Sequence, residues 1–421
     1  MADNERPEPR LNYQPAVDGL RAIAVTAVVL YHLGLDWVVG GYLGVEVFFV
    51  ISGFLITALM LAEFLRTGTV DLRNFWIRRA RRLLPALYLF LVGIVAFVAL
   101  GPTDELVDIR GEVLAALTYI TNWFLVLGDV SYFDALGRPS PLQHLWSLAL
   151  EEQFYLLWPI LFSLGLWATR GRQRPLVAAM VVGVVVSTAL MIIMYDPGVD
   201  PSRVYYGTDT RAAGLLIGSA LAMVWSPWRL RRSVGDAAPV LLDAAAFVGV
   251  GGLLLLFWQL DELSPRLYRG GFLLTGVLTC LVLAAVVHPA ARFSARLLSA
   301  RPLVWIGLRS YSIYLWHWPV IVFTRPQFDT TLDGWTLHSL RLLLTLVLAE
   351  LSYTYVETPL RKGALGRWWT TARTDELTRR RGVVIATAVL LPTLLLGIAL
   401  VRAQPAELEV ASTSDVADLI A

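Results

Sequence analysis

Ionisable side chains inside apolar runs are the first places to look for chemistry, because charge in hydrocarbon is costly and marks function by default. Arg21 and His32 stand eleven residues apart in the run DGLRAIAVTAVVLYH. At about 100° per residue this spacing is close to three turns, so both fall on one helix face, about 16 Å apart along the axis. Arg21 lies nearer the helix end, where an arginine can also simply snorkel. His32 lies deeper, where its ring nitrogens need partners and where a neutral imidazole can act as a general base.

A second set lies in RRARRLLPALY (78–88), where Arg79 and Arg82 are spaced i, i+3 and share a face. Such a cluster can merely hold a loop on the cytoplasmic side. Its planar forks also suit phosphate or pyrophosphate. The third set is HLWSLALEEQFYLLWP (144–159), in which His144, Ser147 and Glu151 form a polar stripe with Glu152 adjacent. Ser, His and Glu are the types of a hydrolase triad, but spacing along one helix works against all three bonding directly. A pairing of the acids with an arginine of another helix is the alternative. VYYGTDTRAAG (204–214) brings Tyr205, Tyr206, Asp209 and Arg211 to the outer start of a helix, and SYSIYLWHWPV (310–320) sets His317 between two tryptophans. The aromatics in both also fit an interfacial belt. GYLGVEVFFVISGFLIT places Glu46 among glycines that permit close helix packing. Asp18, His144, Ser147, Asp209, Arg211 and His317 are thus expected as substrate-contacting or structural polar groups.

The elements that must position these residues follow from composition. The chain has 421 residues, of which 57% are hydrophobic and 16% charged, with a mean hydropathy of +0.62. Soluble domains carry about 25% charged residues, so a soluble, disordered or disulfide-stapled protein is excluded. A polytopic, all-α transmembrane bundle remains. Cys280 is the single cysteine and says nothing of redox compartment. Of 35 basic residues, Lys362 alone is lysine, an arginine excess that fits GC-rich coding as well as phosphate binding. Apolar runs near 17–36, 41–63, 83–101, 144–168, 175–194, 211–225, 238–258, 270–287, 303–323, 334–356 and 383–402 predict eleven crossings. The positive-inside rule puts the arginine-rich loops 64–82 and 169–174, Arg229 with Arg231 and Arg232, Arg292 to Arg301, and 357–382 inside, and acidic loops such as that holding Asp104 outside. The weakly polar segment 109–128 is then re-entrant or interfacial. The first 16 residues are polar and acid-containing, unlike a signal peptide. No internal repeat of the kind that builds transporters is evident.

In these strings the chain resembles the integral-membrane acyltransferases called acyltransferase family 3. DGLRAIAVTAVVLYH (18–32), FFVISGFLIT (48–57), FWIRRARRLLPALY (75–88), HLWSLALEEQFYLLWP (144–159), YYGTDTRAAGLLIG (205–218), SYSIYLWHWP (310–319) and SYTYVETPLR (352–361) occur in order. The resemblance implies a bacterial enzyme of the inner (plasma) membrane, and the positive-inside rule with eleven crossings puts the N-terminus in the cytoplasm and the C-terminus outside. It would move an acyl group, by family default acetyl, from acyl-CoA to a carbohydrate hydroxyl of the cell envelope. Acylation of a secondary metabolite such as a macrolide, or transport of a lipid-linked sugar, are the alternatives. Arg21, Arg79 and Arg82 would bind the coenzyme A donor; His32, Glu151, Glu152 and Tyr206 would be catalytic. No metal and no nucleic acid are implied; the partners are acyl-CoA, the carbohydrate and the lipid bilayer.

The implied layout is a cytoplasmic segment 1–16, a membrane acyltransferase core of ten helices over 17–361, a basic loop 362–382, an additional helix 383–402 and a disordered tail 403–421. The closest likeness is to members that carry a fused extracytoplasmic domain of the SGNH type, for which the 19 residues after the last helix leave no room. The chain is then expected to work alone, to hand its acyl group to a separate extracytoplasmic acyltransferase or esterase-like protein, or to be a shortened form. Two routes stay open. His32 can act as base on the acceptor hydroxyl, with Glu151 or Glu152 orienting it, or Tyr205 or Tyr206 can carry the acyl group covalently.

Overall fold

A computed structural model describes residues 9–101, 105–133, 138–230, 235–326, 328–373 and 375–403. Asp104, Arg231, Arg232 and, save for Ala403, the tail predicted over 403–421 lie outside the described residues, as do residues 1–8 of the N-terminal segment. Among the described residues the chain is a succession of helices without a β-strand. In order these are α1 (Pro15–His32), α2 (Gly44–Thr67), α3 (Leu72–Leu100), α4 (Glu105–Leu117), α5 (Thr121–Leu127), α6 (Leu145–Ala168), α7 (Gln173–Met194), α8 (Ser202–Tyr206), α9 (Thr208–Val224), α10 (Ala238–Gln259), α11 (Phe272–Val286), α12 (Phe293–Leu298), α13 (Arg301–Val322), α14 (Gly334–Leu351), α15 (Thr358–Arg361), α16 (Ala364–Ala372) and α17 (Glu376–Arg402). The helical bundle class read from composition is what the structure shows.

Six described helical segments are long and apolar enough to cross a membrane: Gly41–Thr67, Leu72–Leu100, Gln173–Met194, Ala238–Gln259, Leu267–Val286 and Gly334–Arg361. Helices α1, α6, α9 and α13 coincide with expected spans but are not among the six. The same holds for α17 over the expected span 383–402.

Three local expectations change. The stretch 64–82, read as a loop, is helical from Leu72 onward. Asp71 caps the helix by accepting the Asn74 backbone N–H at 3.0 Å, which also holds the Asp71 carboxyl below its ordinary range. Arg78, Arg79, Arg81 and Arg82 therefore ride on α3, on which the i, i+3 spacing of Arg79 and Arg82 holds. The weak segment 109–128 is two short helices, α4 and α5, broken at Tyr119, which takes a positive φ of 55°. Residues 362–382, also read as a loop, contain α16 and the first turns of α17.

The position of each helix follows from how much of it is lined with protein. The apolar window of α2 is 78% buried, against 22% for α10, so α2 is an inner helix and α10 a peripheral one. Helix α9 lies directly on α2. A Cβ added to Gly53 would stand 1.9 Å from the Leu215 carbonyl oxygen, and one added to Gly218 would stand 2.0 Å from that of Val50. Only glycine lets these backbones meet so closely. Helices α1, α2, α9, α11 and α13 share one apolar core, and the polar site residues are embedded in it.

Candidate active site

The arginines form one end of the site. Arg21 of α1 and Arg79 and Arg82 of α3 line a cavity of about 140 Å³ that runs inward between α2, α6 and α13. Its inner wall includes Phe48, Phe49, Ser52, Ser147, Glu151 and Tyr314. Outside it, and sharing Arg79, Arg82, Ile56 and Leu59, opens a wider cleft of about 620 Å³ bordered by Arg10, Arg66 and Arg78. A narrow, largely apolar cavity thus adjoins a broad cleft lined by five arginines and one acid, Glu63. Asp18 holds Arg21 at 3.2 Å and accepts from the Tyr13 hydroxyl at 2.8 Å.

Arg79 is fixed from two sides. Its guanidinium lies 3.5 Å from the centre of the Tyr155 ring and 4.0 Å from the Glu151 carboxylate, a cation–π contact beside an ion pair. The hydroxyls of Ser52 and Tyr155 both bond that carboxylate. Glu152 interacts electrostatically with Arg79 and Arg82. The two acids of α6 therefore lie at the arginine end, as in the alternative of a pairing with an arginine of another helix, and not beside His32. The register of α6 explains it, since Glu151 lies seven residues past His144, about 10 Å further along the axis.

The second part of the site is a group of three histidines. His317 of α13 lies with its Nε2 3.1 Å from His32 Nδ1, and His144 packs edge-on against His317 with ring centres 5.7 Å apart. His32 Nε2 meets the Tyr132 hydroxyl at 3.2 Å. His144 donates from Nε2 to the Leu315 carbonyl at 3.1 Å. Between this group and the arginine cavity stands Tyr314, which bonds Ser147 at 2.6 Å and donates to the His144 carbonyl at 2.8 Å. Its ring centre is 5.3 Å from that of His317. Ser147 thus pairs with Tyr314, and no Ser–His–Glu triad forms along α6.

The remaining candidates sit elsewhere. Arg211 is buried and pairs with Glu46 at 2.9 Å, its guanidinium 3.6 Å from the Phe272 ring centre. Asp209 pairs with Arg203 at 2.8 Å, with about a third of each side chain exposed, and stands apart from both groups. The Tyr206 hydroxyl accepts from Gln143 at 3.1 Å in a buried setting. The Tyr205 ring lies tilted against that of Tyr132, with centres 4.5 Å apart.

Sequence reasoning missed Ser52, Tyr132, Tyr155 and Tyr314. Tyr155 follows Glu151 by four residues and Tyr314 precedes His317 by three, so helical spacing offered a signal for both. Ser52 was one small polar residue in an apolar run. Tyr132 lies outside any helix, and nothing in the local pattern distinguishes it.

A family model described as an acyltransferase domain matches residues 14–354. The chain is 45% identical over 350 residues to the putative peptidoglycan O-acetyltransferase YrhL of Bacillus subtilis, covering 83% of this chain and 55% of that protein. It is 44% identical over 352 residues to the peptidoglycan O-acetyltransferase OatA of Listeria monocytogenes, covering 83% and 56%. It is 40% identical over 350 residues to the O-acetyltransferase OatA of Staphylococcus aureus, covering 83% and 57%. The chain thus spans a little over half the length of these relatives. No solved structure matches. A family match that takes in α1 to α14, and with them the arginine cavity and the histidine group, places the chain among the membrane proteins built on this acyltransferase domain.

Proposed function

We propose that this chain is an O-acyltransferase of the cell envelope, moving an acetyl group from acetyl-CoA, bound at the arginine end, to a hydroxyl of a glycan such as peptidoglycan. The observation that carries this reading is the narrow cavity that begins at Arg21, Arg79 and Arg82 and ends at Tyr314, one side chain from the His32–His317 pair. A long donor with a polyphosphate head and a slender thioester arm fits that shape. The head suits the broad basic cleft, where guanidinium forks grip phosphate, and the arm suits the apolar channel. The relatives named above supply the glycan class.

In this reading His32 Nε2 takes the proton from the acceptor hydroxyl as its oxygen attacks the thioester carbonyl. The C–S bond breaks, and the proton returns from His32 to the leaving thiolate. Direct transfer is favoured over the covalent route through Tyr205 or Tyr206, because the Tyr206 hydroxyl meets Gln143 and that of Tyr205 meets Tyr132, neither of them a base, whereas His32 offers an imidazole nitrogen. This reading places the arginine end on the cytoplasmic side and the histidine group toward the outer face, a placement that the positive-inside rule supports.

Release of coenzyme A by the purified protein tests the reading. It should require both acetyl-CoA and a glycan acceptor, and acetyl ester should appear on the glycan in equal amount. Movement of a lipid-linked sugar across vesicles without ester formation would replace it with a transport function.

A further inference from the structure

We infer that His317 is the positioning residue for His32, and that it acts by fixing which nitrogen of the His32 ring carries hydrogen. The inference rests on the reading of His32 as the base. It begins at a carbonyl, which can only accept. His317 Nδ1 lies 2.6 Å from the Tyr314 carbonyl oxygen, so Nδ1 carries the hydrogen. In a neutral imidazole the other nitrogen is then a bare acceptor. That nitrogen, Nε2, stands 3.1 Å from His32 Nδ1, so His32 must donate from Nδ1. The Val28 carbonyl, one turn back on α1, is a further acceptor beside the same ring.

What is left on His32 is a lone pair on Nε2, and it faces the Tyr132 hydroxyl at 3.2 Å. The hydrogen directions therefore run one way, from Tyr132 through His32 and His317 to the carbonyl of Tyr314. The opposite tautomer of His32 would set two lone pairs against each other between the rings and would point a hydrogen at the reacting hydroxyl. Where catalytic histidines commonly rest on a carboxylate, this one rests on a second imidazole, itself fully buried and anchored by its own backbone turn.

The surroundings hold the pair in place. Trp318 packs edge-on against His32 with ring centres 4.9 Å apart, Tyr31 does so at 5.0 Å, and His144 and Tyr314 close on His317. During transfer the acceptor O–H bond breaks, the proton moves to His32 Nε2, and the resulting imidazolium still donates from Nδ1 to His317 Nε2. The proton then leaves from the same Nε2 to the thiolate. His317 itself neither gains nor loses a proton.

Three variants test this in the full chain: His317→Leu, His317→Gln and His32→Ala. Leucine removes the imidazole acceptor and leaves only the Val28 carbonyl beside the His32 ring, and kcat should fall about 100-fold or more, within the range that a positioned base contributes, while the KM for acetyl-CoA changes less than about threefold. Glutamine keeps an acceptor oxygen and should recover at least about tenfold of that loss. Equal loss in the leucine and glutamine variants, or no loss in leucine, overturns the inference. If His32→Ala retains activity, the base assignment fails first. If the leucine variant does not fold, nitrogen NMR of histidine-labelled wild-type protein decides, with the His32→Ala sample assigning the signal. The Nδ1–H tautomer is expected at His32, and the Nε2–H tautomer overturns the inference.

Discussion

The Leu315 carbonyl is free to accept from His144 because the residue four positions on is Pro319. A proline inside a helix has no N–H to give to the carbonyl one turn back. Pro319 lies within α13, and the vacated Leu315 oxygen is taken by His144 Nε2 at 3.1 Å. The same device recurs on α6. Pro159 lies within that helix and leaves the Tyr155 carbonyl to Trp76 Nε1 of α3 at 3.1 Å. Each proline thus converts a backbone acceptor into a tether between helices that carry site residues. Replacing Pro319 with Ala restores a competing N–H. Helix propensity predicts equal or higher thermal stability, while transfer should fall about tenfold as His144 loses its anchor. Thermal unfolding and turnover of the same sample check both halves, and unchanged turnover would show that the tether does not matter.

Arg79 and Arg82 should govern the donor and not the acceptor. Arg79→Ala and Arg82→Ala should each raise the KM for acetyl-CoA about tenfold or more, since a charge-assisted contact contributes about 1.5–3 kcal/mol. Arg79→Lys should recover little, because lysine loses the fork and the flat packing on Tyr155. Steady-state kinetics with each substrate varied in turn distinguishes the two effects, and a change confined to the acceptor KM would move the donor away from the arginine end.

The Glu46–Arg211 pair is a stability element beneath the Tyr205 and Tyr206 segment. Breaking a buried pair from one side strands a charge and costs about 3–5 kcal/mol, whereas replacing both partners by apolar residues is often nearly neutral. Glu46→Leu and Arg211→Met should each lower the melting temperature in detergent sharply. The double variant should recover most of the loss. If the double variant melts as low as either single one, the pair does more than satisfy its own charges.

The α2–α9 contact should be intolerant of a single methyl. Gly218→Ala drives a Cβ into the Val50 carbonyl, and overpacking of this kind costs about 1–3 kcal/mol. Its melting temperature should fall, while Gly251→Ala, whose Cβ meets nothing within 4 Å, should not destabilise the protein.

How much of this was legible in the sequence depended on range. The helices were legible because apolar runs with local start and stop signals are short-range patterns, and α6, α10 and α13 lie within a few residues of their expected limits. The start of α3 at Leu72 is not legible, because arginines suit a loop and an amphipathic helix equally well, although the shared face of Arg79 and Arg82 is. The chemically important side chains stood out wherever burial made their type costly, as with His32, Glu151 and Arg211. Their pairings did not. Glu46 and Arg211, or His32 and His317, are 165 and 285 residues apart, and only the packing of α2 on α9 and α1 on α13 brings them together. Glu151 admits either an arginine of another helix or His32 as its partner from sequence, and only the packing of α3 against α6 selects Arg79.

The separation of donor binding from proton transfer is the centre of this account, and one comparison tests it most directly. Purified wild-type protein and His32→Ala, in the same lipid, are measured both for equilibrium binding of acetyl-CoA and for acceptor-dependent release of coenzyme A. The account predicts that His32→Ala binds the donor within about threefold of wild type, because the guanidiniums are untouched, while turnover falls about 10²–10⁴-fold. Turnover retained by His32→Ala, or donor binding lost along with turnover, would contradict it.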